Sequence, residues 1–598
     1  MHILNNRLYR YINEYVKVLD MQKFRTYNKR KLLAVFIVIS VLVVCLFARL
    51  TFLMINRANY YGNKAVEVRE RERKIKALRG TIYDRNNVVL ATNKSVCTIS
   101  VIHSQIKEPE KVIKILSDKL NIPEENVRKR VEKISSIEKI KSNVDKKIAD
   151  EIRNADLKGV MVDEDYKRTY PFDSLASKVI GFTGGDNQGI LGLESKYEKY
   201  LKGVEGKILT TTTANGIEVD KEAERRIEPI PGYDLHLTLD SKIQEYAEYL
   251  ALKVMEEKSA KNVKITIMNP QNGEILAMVN VPEFNLNKPY EYNKQIDWDS
   301  LNDKEQNKLL NEMWRNATIS DTYEPGSTFK IVTATAALEE KVVKVEDRFN
   351  CPGFKIVEDR KIRCHKVGGH GAQNFKEGIM NSCNPVFIEV GARVGAENMY
   401  KEYRKLGLFN KTGIDVPGEA NSIMHNIKNI KPVELATMSF GQSIQITPLQ
   451  LLVAASAVAN GGNIVTPHFA KSIQDKEQNV IKEFDFAIKQ GAVSKETSDT
   501  MKELLEAVVA EGSGKNAYLE GYRVGGKTAT SEKLPRRTGK YISSFLGFTP
   551  ANNPTLIGII LIDEPVGIYY GGTIAAPVIA KIFKNILNIG NQSLIISQ

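Results

Sequence analysis

The sequence predicts an α/β (α+β) protein with one N-terminal transmembrane helix, a smaller domain behind it and a larger domain of mixed strands and helices. Three observations carry this. An uncharged apolar run fills residues 32 to 48, amphipathic patterns and clustered glycines follow, and beyond Pro229-Ile230-Pro231-Gly232 strand and helix patterns alternate to about Leu587. With 598 residues, 42% hydrophobic and 26% charged, the chain can bury sizeable cores and is neither a disordered tail nor a disulfide scaffold.

The run LLAVFIVISVLVVCLFA at 32–48 is interrupted by Arg49, and apolar character resumes through Leu50, Phe52, Leu53, Met54 and Ile55. About 20 apolar residues span a bilayer, and an arginine near one end can snorkel to the interface. A cleavable signal peptide is disfavoured by the long basic leader and the missing small-x-small cleavage site. The leader carries Arg7, Arg10, Lys17, Lys23, Arg25, Lys29, Arg30 and Lys31 against Glu14 and Asp20. The positive-inside rule therefore places the N-terminus in the cytoplasm and everything after about residue 56 outside, although Arg57, Arg69, Arg71 and Arg73 weaken the contrast. Expected boundaries are a leader at 1–31, an anchor at 32–55, a first domain at 56–231 and a second at 232–590.

The net charge of +13 is scattered among Glu-Lys stretches that read as solvated helix faces. No zinc finger, aromatic RNA-binding strand or basic heptad helix accompanies it, so nucleic acid is not an expected partner.

Residues 59–76 read as a helical stalk or extended linker. Arg79-Gly80-Thr81-Ile82-Tyr83-Asp84-Arg85-Asn86 reads as a strand entering a turn, with Val88-Val89-Leu90 returning. Val112, Ile113, Leu116, Leu120, Val144, Ile148 and Ile152 predict short amphipathic helices over 107–156. The glycines between Gly181 and Gly206 mark tight turns and not a phosphate loop, because the G-x-G-x-x-G order is missing. In the second domain, His236–Leu239 reads as a strand, Ser241–Lys258 as a helix, and Lys264–Met268 with Glu274–Val279 as a hairpin turning at Asn272-Gly273.

The chemistry is concentrated in three short motifs. Glu324-Pro325-Gly326-Ser327-Thr328-Phe329-Lys330 opens a helix, with Ser327 in its first turn and Lys330 on the same face, which suits a hydroxyl nucleophile with an amine base. A lysine can act as that base near neutrality only if burial or a second cation lowers its pKa. Lys527, in Val524-Gly525-Gly526-Lys527-Thr528-Ala529-Thr530, is the expected second cation, on a strand whose edge could hold an extended peptide. Between them Ser382-Cys383-Asn384 supplies a hydroxyl and an amide for proton relay and amide binding. Each motif is weak alone, but the order S-x-x-K, S-x-N, K-T-x-T is a known signature of penicillin-binding proteins and class A β-lactamases. Lys411-Thr412-Gly413 matches the third motif more literally, yet a proline-glycine turn follows it at once, so it cannot be a long strand.

With these motifs the chain resembles class B penicillin-binding proteins from the anchor to about residue 590. Arg79–Asn86, Arg168-Thr169-Tyr170-Pro171 and Gly192-Leu193-Glu194 are similar to that family's pedestal, or dimerisation, motifs. Gln445–Gln450 and Ala459-Asn460-Gly461-Gly462 resemble its transpeptidase helix and turn. The resemblance implies a serine D,D-transpeptidase that cross-links peptidoglycan stem peptides in cell-wall elongation or spore cortex synthesis, with no cofactor needed for catalysis. It implies Ser327 as nucleophile, Lys330 as base and Ser382 as relay. Asn384, Lys527, Thr528 and Thr530 would bind substrate, and the backbone N–H groups of Ser327 and Thr530 would form the oxyanion hole. β-Lactams would trap Ser327, and a SEDS-type lipid II polymerase is the implied partner. A β-lactamase would need a positioned hydrolytic water and base, and no such constellation stands out. A bifunctional enzyme would need a glycosyltransferase carboxylate motif before the catalytic domain. An inactive scaffold need not keep all three motifs.

Five cysteines are few for this length. Cys45 lies in the apolar run and Cys97 stands alone. Cys351, Cys364, His370 and Cys383 have the donor types of a tetrahedral zinc site, with His365 as an alternative ligand. A buried thiol, an oxidised Cys351–Cys364 pair or no role are the competing readings.

Overall fold

The computed structural model describes residues 2–61, 64, 70–135, 137–211 and 225–596. Helix α1, His2–Ile55, contains a span at Lys29–Ile55 with mean hydropathy 2.9, long and apolar enough to cross a membrane. Its side chains from Leu32 to Phe47 are mostly exposed, as an anchor awaiting lipid requires.

The stalk expectation for 59–76 agrees with the helical residues 59–61 and 64 and needs correction at 70–75; residues 62, 63 and 65–69 lie outside the described set. Glu70–Ile75 forms strand β1, antiparallel to β6, Gly206–Thr211, which in turn pairs with β7, Arg225–Ile227. Alternating charge around few apolar residues reads as linker, and only pairing with a partner more than a hundred residues away makes it a strand.

The Arg79 region folds as read: β2, Ile82–Tyr83, turns back into β3, Val89–Val101, with Asp84 Oδ1 accepting from the N–H groups of Asn86 and Val88. The helices of 107–156 are α2, Pro109–Leu120, α3, Glu124–Val131, and α4, Lys146–Asn154. Val112, Ile113, Leu116 and Leu120 of α2 are buried against β3 and its neighbours. Val144, however, ends a strand: β4, Glu138–Val144, pairs with β3 on one side while β5, Val160–Thr169, pairs on the other. Ile140 and Val144 alone supply its buried face, too few to display the period of two that marks a strand.

The quoted pedestal motifs meet at one buried carboxylate. Glu194 accepts from Arg79 Nε and from Arg168 Nε, each at 2.6 Å, and all three side chains are almost wholly excluded from solvent. Two buried guanidinium groups hold the Glu194 carboxyl below its ordinary pKa against the opposing pull of desolvation. A buried charge is tolerated only when so paired.

Strand β8, Asp234–Leu237, joins the two parts of the chain: it lies parallel to β2 and antiparallel to β16, Ala470–Gln474. After it comes α5, Ser241–Glu257, capped by Asp240. The predicted hairpin is present as β9, Asn262–Met268, and β10, Ile275–Val281, with Gly273 at φ +87° where a side chain would be strained. These belong to an antiparallel five-stranded sheet in the order β10-β9-β21-β20-β19. Here β19 is Gly525–Glu532, β20 is Tyr541–Thr549 and β21 is Leu556–Asp563. One side packs on α5 and on the C-terminal helix, Ala576–Ile596. The other packs on a helical layer that includes the fully buried helix Pro448–Ala459.

Candidate active site

Gly326–Phe329 makes a single 3-10 turn that runs directly into α6, Lys330–Glu339, so Ser327 sits at the helix entrance. Gly326 takes φ +56°, and a Cβ built on it would lie 2.1 Å from Ser531 Oγ and 3.7 Å from Ala529 Cβ. Only glycine lets the serine turn lie this close to strand β19. The Ser327 hydroxyl has no hydrogen bond among the described residues and stands half-buried at the junction. That leaves it free for an incoming carbonyl.

Lys330 is 1% exposed. Its Nζ donates to Ser382 O at 2.7 Å, to Asn384 Oδ1 at 2.8 Å and to Ser382 Oγ at 3.2 Å, and it lies 5.3 Å from the centre of the Phe387 ring. Burial brings its pKa down to about 7. The amine is therefore available as a base near neutrality without being stranded when protonated.

The S-x-N motif is presented by a break between two helices. Helix α7, Phe375–Met380, ends, Ser382 takes φ +51°, and α8, Asn384–Lys405, begins with Cys383 as its cap. This left-handed residue turns both the carbonyl and the hydroxyl of Ser382 toward Lys330. Asn384 is held from its other end by donating Nδ2 to Arg363 O at 3.2 Å.

Lys527 lies on β19, fully buried, with its pKa held well below the usual lysine range by burial and then by the neighbouring Lys330. Its Nζ donates to Thr528 O at 3.1 Å. Strand β19 is the edge of its sheet, and its other side pairs with β20 throughout, Lys527 opposite Leu546 and Thr530 opposite Ser543. An extended peptide can therefore add to the free side. Thr530 Oγ1 accepts from Gly571 N at 3.0 Å, and Thr528 Oγ1 reaches Ser513 Oγ at 3.4 Å. Ser513 and Gly571 carry no motif of their own, and sequence reading had no signal for them.

The structure thus brings Ser327, Lys330, Ser382, Asn384 and Lys527 into one junction. Lys411-Thr412-Gly413 is elsewhere, in an irregular loop tied to Glu419, whose Oε1 accepts from Thr412 N and Oγ1, each at 2.6 Å.

Cys351, Cys364, His370 and Cys383 also come together, their ligand atoms all within 4.8 Å of one another, with the three thiols buried and free of disulfides. Cys364 Sγ is 3.6 Å from His370 Nδ1 and 3.9 Å from His365 Nδ1. A hydrogen bond from Cys383 holds the Cys364 thiol far below its ordinary range, and the same bond pushes Cys383 up. The cluster adjoins Lys330, because Cys383 stands between its partners Ser382 and Asn384.

A model of the penicillin-binding protein transpeptidase domain matches residues 263–587, and one of the penicillin-binding protein dimerisation domain matches 74–237. The chain belongs to the class B penicillin-binding proteins, a family of serine transpeptidases. Among curated relatives it is 43% identical to stage V sporulation protein D of Bacillus subtilis over 521 residues, covering 85% of this chain and 78% of that protein. It is 31% identical to a probable peptidoglycan D,D-transpeptidase, PenA, of Neisseria gonorrhoeae over 564 residues, covering 93% and 92%. Among solved structures, penicillin binding protein 2X of Streptococcus thermophilus shares the fold, with TM-score 0.72 and 22% identity over 87% of this chain and 81% of that one.

Proposed function

We propose that this chain is a membrane-anchored peptidoglycan D,D-transpeptidase that cross-links stem peptides through an ester on Ser327. The observation that carries the assignment is Lys330, a buried amine with a pKa near 7 whose hydrogen-bond partners are the two polar side chains of the S-x-N motif. In the first step neutral Lys330 takes the Ser327 proton and Oγ attacks the carbonyl of the penultimate D-alanine. The amide bond breaks, and the terminal D-alanine leaves as an amine with a proton relayed from Lys330 through Ser382. Backbone N–H groups of Ser327 and Thr530 receive the oxyanion, a contribution of about 3 kcal/mol for each donor in comparable sites. Ala529 in the usual glycine position is tolerable, since the donor next to it is backbone.

Lys527, Thr528 and Thr530 hold the terminal carboxylate, and Asn384 holds a substrate amide. An amine of a second stem peptide then displaces Ser327 and completes the cross-link. β-Lactams enter by the first step and stop there. Identity to a sporulation protein supports a role in spore cortex synthesis, with vegetative elongation as the second setting.

The organisation we assign is a cytoplasmic leader at 1–31, an anchor at 32–55, a pedestal at 56–231 and a transpeptidase domain at 232–590. The basic leader supports a cytoplasmic N-terminus and an extracellular catalytic domain. The partner in keeping with the family resemblance is a SEDS-type polymerase of lipid II, met through anchor and pedestal. Zinc is the metal that suits Cys351, Cys364, His370 and Cys383. Tetrahedral Zn–S bonds of about 2.3 Å set ligand atoms roughly 3.8 Å apart, compatible with the cluster's spread. Bound there, zinc would tie Cys351, at the end of strand Arg348–Cys351, and Cys364, just after strand Arg360–Arg363, to Cys383 between Ser382 and Asn384.

The assignment is tested by incubating the full chain in detergent with a stem pentapeptide and measuring D-alanine release. Release that Ser327→Ala abolishes supports it. Release that survives this substitution sinks it.

A further inference from the structure

Where β9 begins and β10 and β21 end, a cavity of about 430 Å³ opens beside Lys178 of the short helix Ser177–Ile180 in the first domain. Six basic side chains and three acidic ones line it. Two of the acids are matched within the wall: Asp321 accepts from Arg315 Nε at 2.5 Å and Asp563 from Lys533 Nζ at 2.7 Å. The third, Glu312, is exposed. Lys178 Nζ donates to the carbonyls of Asn280 and Pro282 at 2.9 Å each, which orient its charge without cancelling it.

Lys261, Lys264 and Lys294 remain, and among the described residues none of their ammonium groups has a hydrogen bond or ion pair. Lys261 and Lys294 are exposed and meet water, whereas Lys264 is 9% exposed. A buried ammonium without a partner is costly. Burial lowers the Lys264 pKa; Asp563 and Asp321 oppose this, while Lys533 and Lys261 add to it. Lys178 is lowered by burial as well, with Lys264 and Lys294 pushing the same way. The cations therefore repel one another around a shared space, and an anion placed there would relieve the repulsion and the unmet hydrogen bonds together.

Asn262 narrows the choice of anion. It lines the same cavity two positions before Lys264, on the same face of β9. Its Nδ2 donates to Asp563 at 3.0 Å, and Asp563 also accepts from Lys533, so the amide must present its N–H there. Its Oδ1 is left buried without a donor. That oxygen cannot serve an anion; it calls for an O–H or N–H on the same ligand. A bare oxyanion would also fill little of 430 Å³. Several ammonium groups around one space favour a doubly charged phosphate over a single carboxylate, and lysine serves phosphate as a point charge.

We propose that this cavity binds a phosphorylated polyol or sugar. Lys264 at the floor and Lys261 and Lys294 at the mouth hold the phosphate, and a hydroxyl of the carrier donates to Asn262 Oδ1. The occupied site would join Lys178 of the first domain to the sheet of the second. It takes no part in acyl transfer.

The test is calorimetric titration of the full chain in detergent at low salt, with glycerol 3-phosphate and with inorganic phosphate. The wild type should bind glycerol 3-phosphate about fivefold more tightly than phosphate, the worth of one hydrogen bond. Lys264→Met should weaken both by at least about tenfold, the loss of one charge-assisted contact. It should still fold, since it removes a buried charge that has no partner, and acylation by penicillin G at the wild-type rate checks this. Asn262→Ala should keep the affinity for phosphate and lose the advantage of glycerol 3-phosphate. A wild type that binds neither probe, or Lys264→Met that binds as the wild type does, would overturn the proposal. Equal affinity of the wild type for the two probes would also overturn it, because only a bare anion would then be held.

Discussion

Gly326 and Ser531 meet so closely that a single added carbon on Gly326 would overlap the Ser531 hydroxyl. This contact sets the distance between the turn bearing Ser327 and the strand bearing Lys527. Gly326→Ala should therefore separate nucleophile and oxyanion donors. A shift of about 1 Å costs on the order of a hundredfold in rate, so acylation by a fluorescent penicillin should slow by roughly that factor. Strain at positive φ should also lower stability by about 1–3 kcal/mol, read from a urea titration.

Acylation should follow the protonation of Lys330. The base must be neutral, so the rate should rise with pH through about 7 and fall below it. Asn384→Asp would place a negative charge against the ammonium and favour its charged form. The midpoint of the pH–rate profile should then move upward by at least about one unit, and acylation at neutral pH should slow. A midpoint unmoved by the substitution would count against Lys330 as the base.

Removing the carboxylate of Glu194 would leave Arg168 buried without a counter-charge among the described residues, and Arg79 with Glu198 alone. Glu194→Gln should cost about 3–5 kcal/mol, measured by chemical denaturation. Below its melting temperature the variant should still acylate, because the triad is confined to the pedestal.

Chelation at the cysteine cluster should act at a distance of one residue. If zinc braces Cys383, a strong chelator should release one zinc per chain by elemental analysis, lower the melting temperature and slow acylation by loosening Ser382 and Asn384. Protein purified without chelator and found free of zinc would end that reading.

Most of the proposed catalytic centre is legible in the sequence because its three motifs carry their chemistry in residue type and order. Lys527 was separable from Lys411 because a proline-glycine turn cannot continue a strand, and the structure places Lys411 in such a loop. The hairpin at Asn272-Gly273 and the helix capped by Asp240 were legible for similarly local reasons. What stayed hidden depends on partners distant in the chain. Glu70–Ile75 becomes a strand only beside Gly206–Thr211, and Glu138–Val144 shows just two buried apolar positions. The contacts of Ser513 and Gly571 with Thr528 and Thr530 leave no trace in local pattern.

Whether Ser327 is the nucleophile is decided by the intact mass of the chain after exposure to penicillin G, followed by mapping of the modified peptide. One added penicillin per chain is expected, stable for minutes or longer, on the peptide that contains Ser327, with no addition in Ser327→Ala. A label on another residue, or an adduct that turns over at once to free penicilloate, would contradict it.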